Sequence, residues 1–337
     1  MKKFLIFRTD RIGDFIASKI IFESIKSDNN KNTIDVICSN YNYGYLKNYN
    51  YINKLIVLDK QNLKNYFSNI LKLRETKYDY LIILDGKRRS FIYSLFIRSF
   101  KKFIIVKNKN LKFLTNSFAY TEFLNSEKYS QFQNFIKFLN IIKIKPVTKF
   151  NYYKDYKIKN NNTFKDKNYL HLHLDEKWFE GYHYKDYDYM NLNASNLNLF
   201  LSYLINKYKK KIIITSGFKK IRNLENFIKN YFYKNKKYLF HKNFKKKIIY
   251  IKNLDFRDIE LVVKNSKVLI ACEGAISHVS NSFNIPTLCL IQRGRKQTAY
   301  FWTGHMKNIK YLYRSDIKKI IEQIDKIKIQ SYLKRCF

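Results

Sequence analysis

Short apolar runs rich in Ile, Val and Phe alternate along this chain with longer stretches whose apolar residues recur every three or four positions. The first kind suits strands buried on both faces, the second suits helices laid over them. In the first half, strands are expected over Lys3–Arg8, Ile34–Ser39, Leu55–Leu58, Tyr80–Leu84 and Phe103–Val106. Helices are expected over Asp14–Ser27 and Leu63–Glu75, and over Gln131–Ile142, where Phe132, Phe135, Ile136 and Leu139 share one side. Lys145-Pro146 then opens a polar stretch rich in Asn, Lys and Tyr that runs to about Lys167 and reads as a linker with surface segments.

The alternation restarts beyond it. Tyr169–Leu174, Lys211–Thr215, Ile248–Ile251, Val268–Ala271 and Thr287–Ile291 are expected strands. Asn196–Tyr208, Ile221–Phe232, Phe256–Ser266 and Ser277–Phe283 are expected helices, and Ser315–Ile329 is a further one with Ile317, Ile320, Ile321, Ile324 and Ile327 on one side. Strand–helix alternation predicts α/β architecture with parallel sheets. Two such series in one chain predict two Rossmann-like domains facing a central cleft, with ligands beyond the carboxyl ends of the strands. The expected domains are residues 1–160 and 161–310, followed by a tail over 311–337 that packs back on the first domain.

Composition changes this picture only in part. The 337 residues are 46% hydrophobic, which is enough for packed cores and excludes global disorder. Lys and Arg number 66 against 26 Asp and Glu, a formal charge of +40 that favours anionic partners such as nucleic acid, a membrane surface or a phosphorylated ligand. The lysines are spread along the chain beside abundant Asn, Ile, Tyr and Phe. These residues share A/T-rich codons, so genome bias accounts for much of the excess, and specific nucleic-acid binding is not expected. Cys38, Cys272, Cys289 and Cys336 are scattered without CxxC spacing, which argues against a zinc site or a disulfide framework and fits a reducing compartment. The apolar run Phe4–Phe7 is too short for a signal peptide, and no run approaches the ~20 residues of a membrane span. A cytoplasmic protein, at most peripheral on an anionic membrane face, is the expectation.

Three segments carry candidate chemistry. After the first strand comes Arg8-Thr9-Asp10-Arg11-Ile12-Gly13-Asp14, in which Gly13 permits a tight turn or close approach of a ligand. Asp14 has two readings there, a helix cap or a general base. Arg8 and Arg11 pair with Asp10 and Asp14, or hold an anionic acceptor. Lys87, Arg88 and Arg89 follow the fourth strand, either as solvated cations or as a site for an acidic sugar or phosphate. In the second half, Val268–Gln292 runs from a buried strand into Glu273-Gly274-Ala275, a helix bearing His278, then Pro286 and another strand. A helix start opened by Gly274 offers free N–H groups to a diphosphate. His278 reads either as a helix-packing residue or as a sugar or phosphate contact.

The segments "FRTDRIGDFIASKIIFESIK", "YDYLIILDGKRRSFIYSLF" and "VLIACEGAISHVSNSFNIPTLCLIQ", in this order and separation, resemble glycosyltransferase family 9, the lipopolysaccharide heptosyltransferase family. The resemblance implies a GT-B fold and metal-independent, inverting transfer from a nucleotide sugar, ADP-heptose in many members, with no other cofactor. It implies Asp14 as catalytic base and Lys177, in "DEKWF", as the cation that steadies the departing diphosphate. Gly217, Glu273, Gly274, Ala275 and His278 would bind the donor; Arg8, Arg11, Gly13, Arg88 and Arg89 would bind a glycolipid or oligosaccharide acceptor. The chain departs from the family pattern in several places. No Pro follows in the first helix, and Glu273 stands directly before Gly274. His173-Leu174-Asp175-Glu176 replace a small-residue turn, and Lys219-Lys220 follow Gly217 where an acidic residue is usual. The alternatives are a GT-B-type nucleotide-sugar epimerase, an inactive glycan-binding relative and, less favoured, a basic nucleic-acid-binding protein.

Overall fold

The computed structural model describes residues 1–58, 68, 71–106, 120–124, 129–147, 168–179, 190, 192–235 and 238–327. The expected helix Leu63–Glu75 and the linker to Lys167 fall largely outside the described residues. The chain divides into two compact units, Met1–Lys157 and Ile158–Phe337.

In the first unit six strands, β1 (Lys3–Phe7), β2 (Thr33–Cys38), β3 (Lys54–Val57), β4 (Tyr78–Ile83), β5 (Ser99–Val106) and β6 (Tyr120–Leu124), form one sheet. All are parallel, in the order β3-β2-β1-β4-β5-β6. The helices are α1 (Ile12–Asp28), α2 (Asn40–Leu46), α3 (Arg88–Ser94) and α4 (Gln131–Ile141). Every residue of α1 from Phe15 to Ile25 is buried, so α1 is enclosed on all sides rather than along one stripe. Enclosure extends to Lys19, whose ammonium donates to the Tyr45 hydroxyl at 2.9 Å and lies 5.0 Å from the ring centres of Tyr45 and Tyr49.

In the second unit the strands are β7 (Tyr169–Leu174), β8 (Lys211–Ser216), β9 (Phe232–Asn235), β10 (Tyr238–His241), β11 (Lys245–Tyr250), β12 (Val268–Cys272), β13 (Thr287–Ile291) and β14 (Ile309–Tyr313). They run in the order β14-β13-β12-β7-β8-β11-β10-β9. Only β9 and β10 are antiparallel additions; the six others are parallel and repeat the winding of the first unit. Each unit therefore has one point where the strand order reverses, β1 against β4 and β7 against β12, and that is where ligands lodge in such sheets.

The helices here are α5 (Ala194–Tyr208), α6 (Arg222–Tyr231), α7 (Phe256–Lys264), α8 (Ala275–Ser282), α9 (Lys296–Thr303) and α10 (Ile317–Lys326). Leu170, Leu172 and Leu174 of β7 meet Trp178, Phe200 and Leu204 in the main core. The tail expected to pack back on the first domain differs: Ile317, Ile320 and Ile324 of α10 enter this same core beside Leu312. Their spacing puts all three on one stripe, and the second unit's own sheet supplies the apolar face that covers it. Residues 328–337 lie outside the described residues.

Five of the chain's six histidines lie among the described residues of the second unit, and burial depresses all five. His173, His241 and His278 fall to about 4, His305 to about 3, and His171 well below its ordinary value. In the unfolded chain each would protonate near pH 6.5, so acid delivers protons that only the unfolded state accepts. Stability of this unit is expected to be complete above about pH 6.5 and lost progressively toward pH 4. Both tryptophans, Trp178 and Trp302, belong to this unit, so tryptophan-fluorescence melts at pH 7.5, 6 and 5 measure it directly. A midpoint that does not move would refute the expectation; His241→Phe should flatten the slope.

Candidate active site

The first reversal point is built around Arg8, at the end of β1 and only 2% exposed. Its Nη1 donates to the Leu84 carbonyl at 2.9 Å, beyond the end of β4, and lies 3.2 Å from Asp10 Oδ2. Its Nη2 donates to the main-chain carbonyl of Asp14. One guanidinium thus ties two strand ends, a carboxylate and the first turn of α1. This is the pairing reading of Arg8; its Nη donors are turned inward.

Asp85, buried at the end of β4, collects the neighbouring donors. Its Oδ2 accepts from the Thr9 hydroxyl at 2.6 Å, the Ser90 hydroxyl at 2.7 Å and the Thr9 amide at 3.3 Å; Oδ1 accepts from the Lys87 amide at 3.1 Å. The Lys87 ammonium folds over the loop onto the Thr9 carbonyl and hydroxyl, at 3.1 and 3.2 Å. Asn42 of α2 adds a bond from its amide to the Arg8 carbonyl at 2.8 Å. Arg88 is exposed and Arg89 half-buried at the start of α3.

The helix begins at Ile12, so Gly13 lies within its first turn rather than ahead of it. Asp14 is the third helical residue, and its Oδ2 accepts from the exposed Arg11's amide at 3.1 Å. That is the capping arrangement, and it engages one of the two carboxylate oxygens. In the sequence Asp10 reads only as a pairing partner of the arginines. Its Oδ1 is buried without a hydrogen-bond partner, and burial is the main cause that raises its pKa to about 6. Asp14 and Asp85 raise it further, while Arg8 and Lys87 act in the opposite sense.

At the second reversal point the turn after β7, a 3-10 segment over Glu176–Trp178, is capped by Asp175, whose Oδ1 accepts from the Lys177 amide at 3.1 Å. The Lys177 ammonium lies 3.8 Å from Asp175 Oδ2 and donates to the Glu273 carbonyl, at the mouth of α8. A methyl group placed on Gly274 would come 3.4 Å from that ammonium, and one on Gly217 would come 3.6 Å from Asp175 Cβ. Both glycines therefore border the Asp175–Lys177 turn at van der Waals distance. Burial raises the pKa of Asp175, with Lys177 and Arg314 acting against it.

The Glu273 side chain turns away from α8 to Arg314, 2.5 Å distant. Arg314 is buried at the end of β14, an edge strand the sequence pattern does not announce, and the pattern misses this residue too. Ala275 opens α8, whose first amides have no partner within the helix. His278 is buried on the same helix, neutral, stacked on His305 at 6.1 Å, with Nδ1 lacking a hydrogen-bond partner. The helix-packing reading of His278 matches that stacking. Among the described residues no group of three or more His, Cys, Asp or Glu is placed to hold a metal ion, and no helix is long and apolar enough to cross a membrane.

Asp14→Asn is expected to lower the pKa of Asp10 below 6, because it removes a neighbouring negative charge. Carboxyl NMR titration checks this: the step near pH 6 should vanish in Asp10→Asn and move downward in Asp14→Asn. An unmoved step in both variants would mean that it belongs to another group.

No protein-family model matches the chain, and no curated protein matches it in sequence. Solved structures do. The Escherichia coli heptosyltransferase WaaC with ADP superposes with a TM-score of 0.68 at 11% identity, covering 98% of both chains. A glycosyl transferase family 9 protein from Veillonella parvula gives 0.67 at 13%, covering 100% of this chain and 90% of that one. UDP-GlcNAc 2-epimerase from Methanocaldococcus jannaschii gives 0.56 at 13%, covering 96% and 92%. At such identities the likeness speaks for architecture, and it agrees with the strand order of both sheets: the chain has the GT-B fold, two Rossmann-like α/β units in series.

Proposed function

We propose that the chain is an inverting glycosyltransferase of the family 9 kind, moving heptose or a similar sugar from a nucleotide-sugar donor to a surface-glycan acceptor such as a lipopolysaccharide core. One observation carries the reading. At the second reversal point Lys177 lies against the glycine-opened start of α8, an arrangement of charge and free amides suited to a diphosphate. The carboxylate loop at the first reversal point, on the strand end where such sheets bind ligands, supplies the complementary half of the chemistry. Likeness to WaaC, crystallised with ADP, supports a nucleotide donor, and ADP-heptose is the first candidate.

In this reading the acceptor hydroxyl loses its proton to Asp14 through the carboxylate oxygen that the helix cap leaves over. The acceptor oxygen bonds to the anomeric carbon as the bond to the donor phosphate breaks. The electron pair leaves with the nucleoside diphosphate, whose charge Lys177 and the α8 amides balance. The charge of +40 supports peripheral contact with an anionic membrane face on the cytoplasmic side, where a glycolipid acceptor would be met.

The test is a screen of ADP-, GDP- and UDP-sugars with and without a Kdo-bearing lipid acceptor, reading nucleoside diphosphate release. Acceptor-dependent release is expected. Asp14→Asn should lower kcat by ~10²–10⁴ with donor binding retained, as loss of a general base does. Lys177→Ala should lower it by ~10²–10³, as loss of leaving-group stabilisation does. Undiminished turnover in Asp14→Asn would remove this residue from the chemistry. The epimerase likeness favours a second reading, nucleotide-sugar epimerisation. An epimer or free sugar formed without acceptor would establish that instead.

A further inference from the structure

His171 and His173 alternate along β7 with Leu170, Leu172 and Leu174, the residues that enter the main core. Between the two rings stands Thr215, the register partner of His173 on β8. Its hydroxyl oxygen is 2.7 Å from His171 Nε2 and 2.8 Å from His173 Nδ1. The hydroxyl has one proton and two lone pairs, and among the described residues the two rings are its hydrogen-bond partners; with no third group to take its proton, it donates to one ring and accepts from the other while both rings are neutral. Burial keeps them neutral.

His171 sets the direction. It is fully buried, and its Nδ1 has no hydrogen-bond partner. Were Thr215 to donate to His171, the proton of that ring would sit on Nδ1 as a buried N–H with no acceptor. With His171 donating instead, Nδ1 holds only a bare lone pair, and orphaned buried donors are the rarer of the two defects. The chain of bonds therefore runs from His171 Nε2–H to the Thr215 oxygen, and from the Thr215 hydroxyl to His173 Nδ1. The proton of His173 is thereby placed on Nε2, the nitrogen outside the chain.

His173 is 8% exposed, two residues before Asp175 and four before Lys177, whose charge is felt at the ring. It stands next to the end of β7, in register with Ala271 of β12, two residues before Glu273 and three before Gly274. We propose that His173 binds the diphosphate of the donor, its Nε2–H donating to a phosphate oxygen beside Lys177. The proposal rests on the nucleotide-sugar reading above. Phosphate oxygens only accept, and a neutral ring locked in one tautomer is a donor already oriented before the ligand arrives. The segment His173–Glu176, where the chain departs from the family pattern, thus acquires a role through its first residue.

Calorimetric titration with ADP, GDP and UDP tests this. Wild-type protein should bind at least one of them; binding to none would sink the nucleotide-sugar reading and this proposal together. For the nucleotide that binds, His173→Ala should weaken affinity about tenfold, the scale of one hydrogen bond to a charged group. His173→Gln, whose amide nitrogen reaches the place of Nε2, should restore most of the loss. Thr215→Val keeps the shape but breaks the chain of bonds and should weaken binding severalfold. Nitrogen-15 NMR of the free protein at pH 7 should show His173 protonated on Nε2. Wild-type affinity in His173→Ala at an unchanged melting temperature, failure of Gln to restore binding, or a proton found on Nδ1 would each overturn the proposal while leaving the nucleotide-sugar reading in place.

Discussion

A parallel sheet covered by helices leaves little room for charge along its strands, and this constraint shapes much of the rest of the molecule. The charged groups of the two candidate sites stand where the strands stop and backbone donors or opposite charges can meet them, while Asp35, buried within β2, is held by the Tyr78 hydroxyl. In the first unit the stopping point gathers Arg8, Asp10, Asp85 and Lys87; in the second it gathers Asp175, Lys177, Glu273 and Arg314. The winding order puts both gatherings at the strand reversals, so the fold places the chemistry before any particular residue does.

Within each gathering most of the charged groups meet a protein partner. Asp85 holds four protein donors and Arg8 bridges two strand ends to α1, so these residues frame the first candidate site. On the proposed reading, the groups left for a ligand include the second oxygen of Asp14, the unpartnered oxygen of Asp10, the start of α8, Nδ1 of His278 and Nε2 of His173. A buried polar atom without a partner marks a place where a ligand group can complete the bonding.

The sequence pattern announces the buried strands clearly; β1, β12 and β13 stand where apolar runs place them, and β7 where leucines alternate with Tyr169, His171 and His173. Half-exposed edges are another matter. In β14 Ile309 and Tyr311 alternate with Lys310, and without that strand Arg314 has no context. Helix α2, spelled Asn-Tyr-Asn-Tyr-Gly-Tyr-Leu, has no helical preference; Asn42 holds it by accepting from the Ser39 amide at 3.0 Å and donating to the Arg8 carbonyl. Motif residues are visible as motifs, but their states are not. Asp10 and Asp85 lie 75 positions apart in the sequence, and the raised pKa of Asp10 arises only when folding buries it and brings Asp85 near, against the opposing pull of Arg8 and Lys87.

Lys177 shows what it means for a site to be occupied by its own cation. Its ammonium rests on the carbonyl that precedes Gly274, beside the positive end of α8. The helix start is therefore not an open trap for any small anion, since a newcomer has to draw the ammonium off a bond it already holds. A lone phosphate offers little in exchange, whereas a nucleotide brings a base, a ribose and two phosphates at once. On the proposed reading, the side chain that would steady the leaving group would also set a threshold that favours large ligands over small ones.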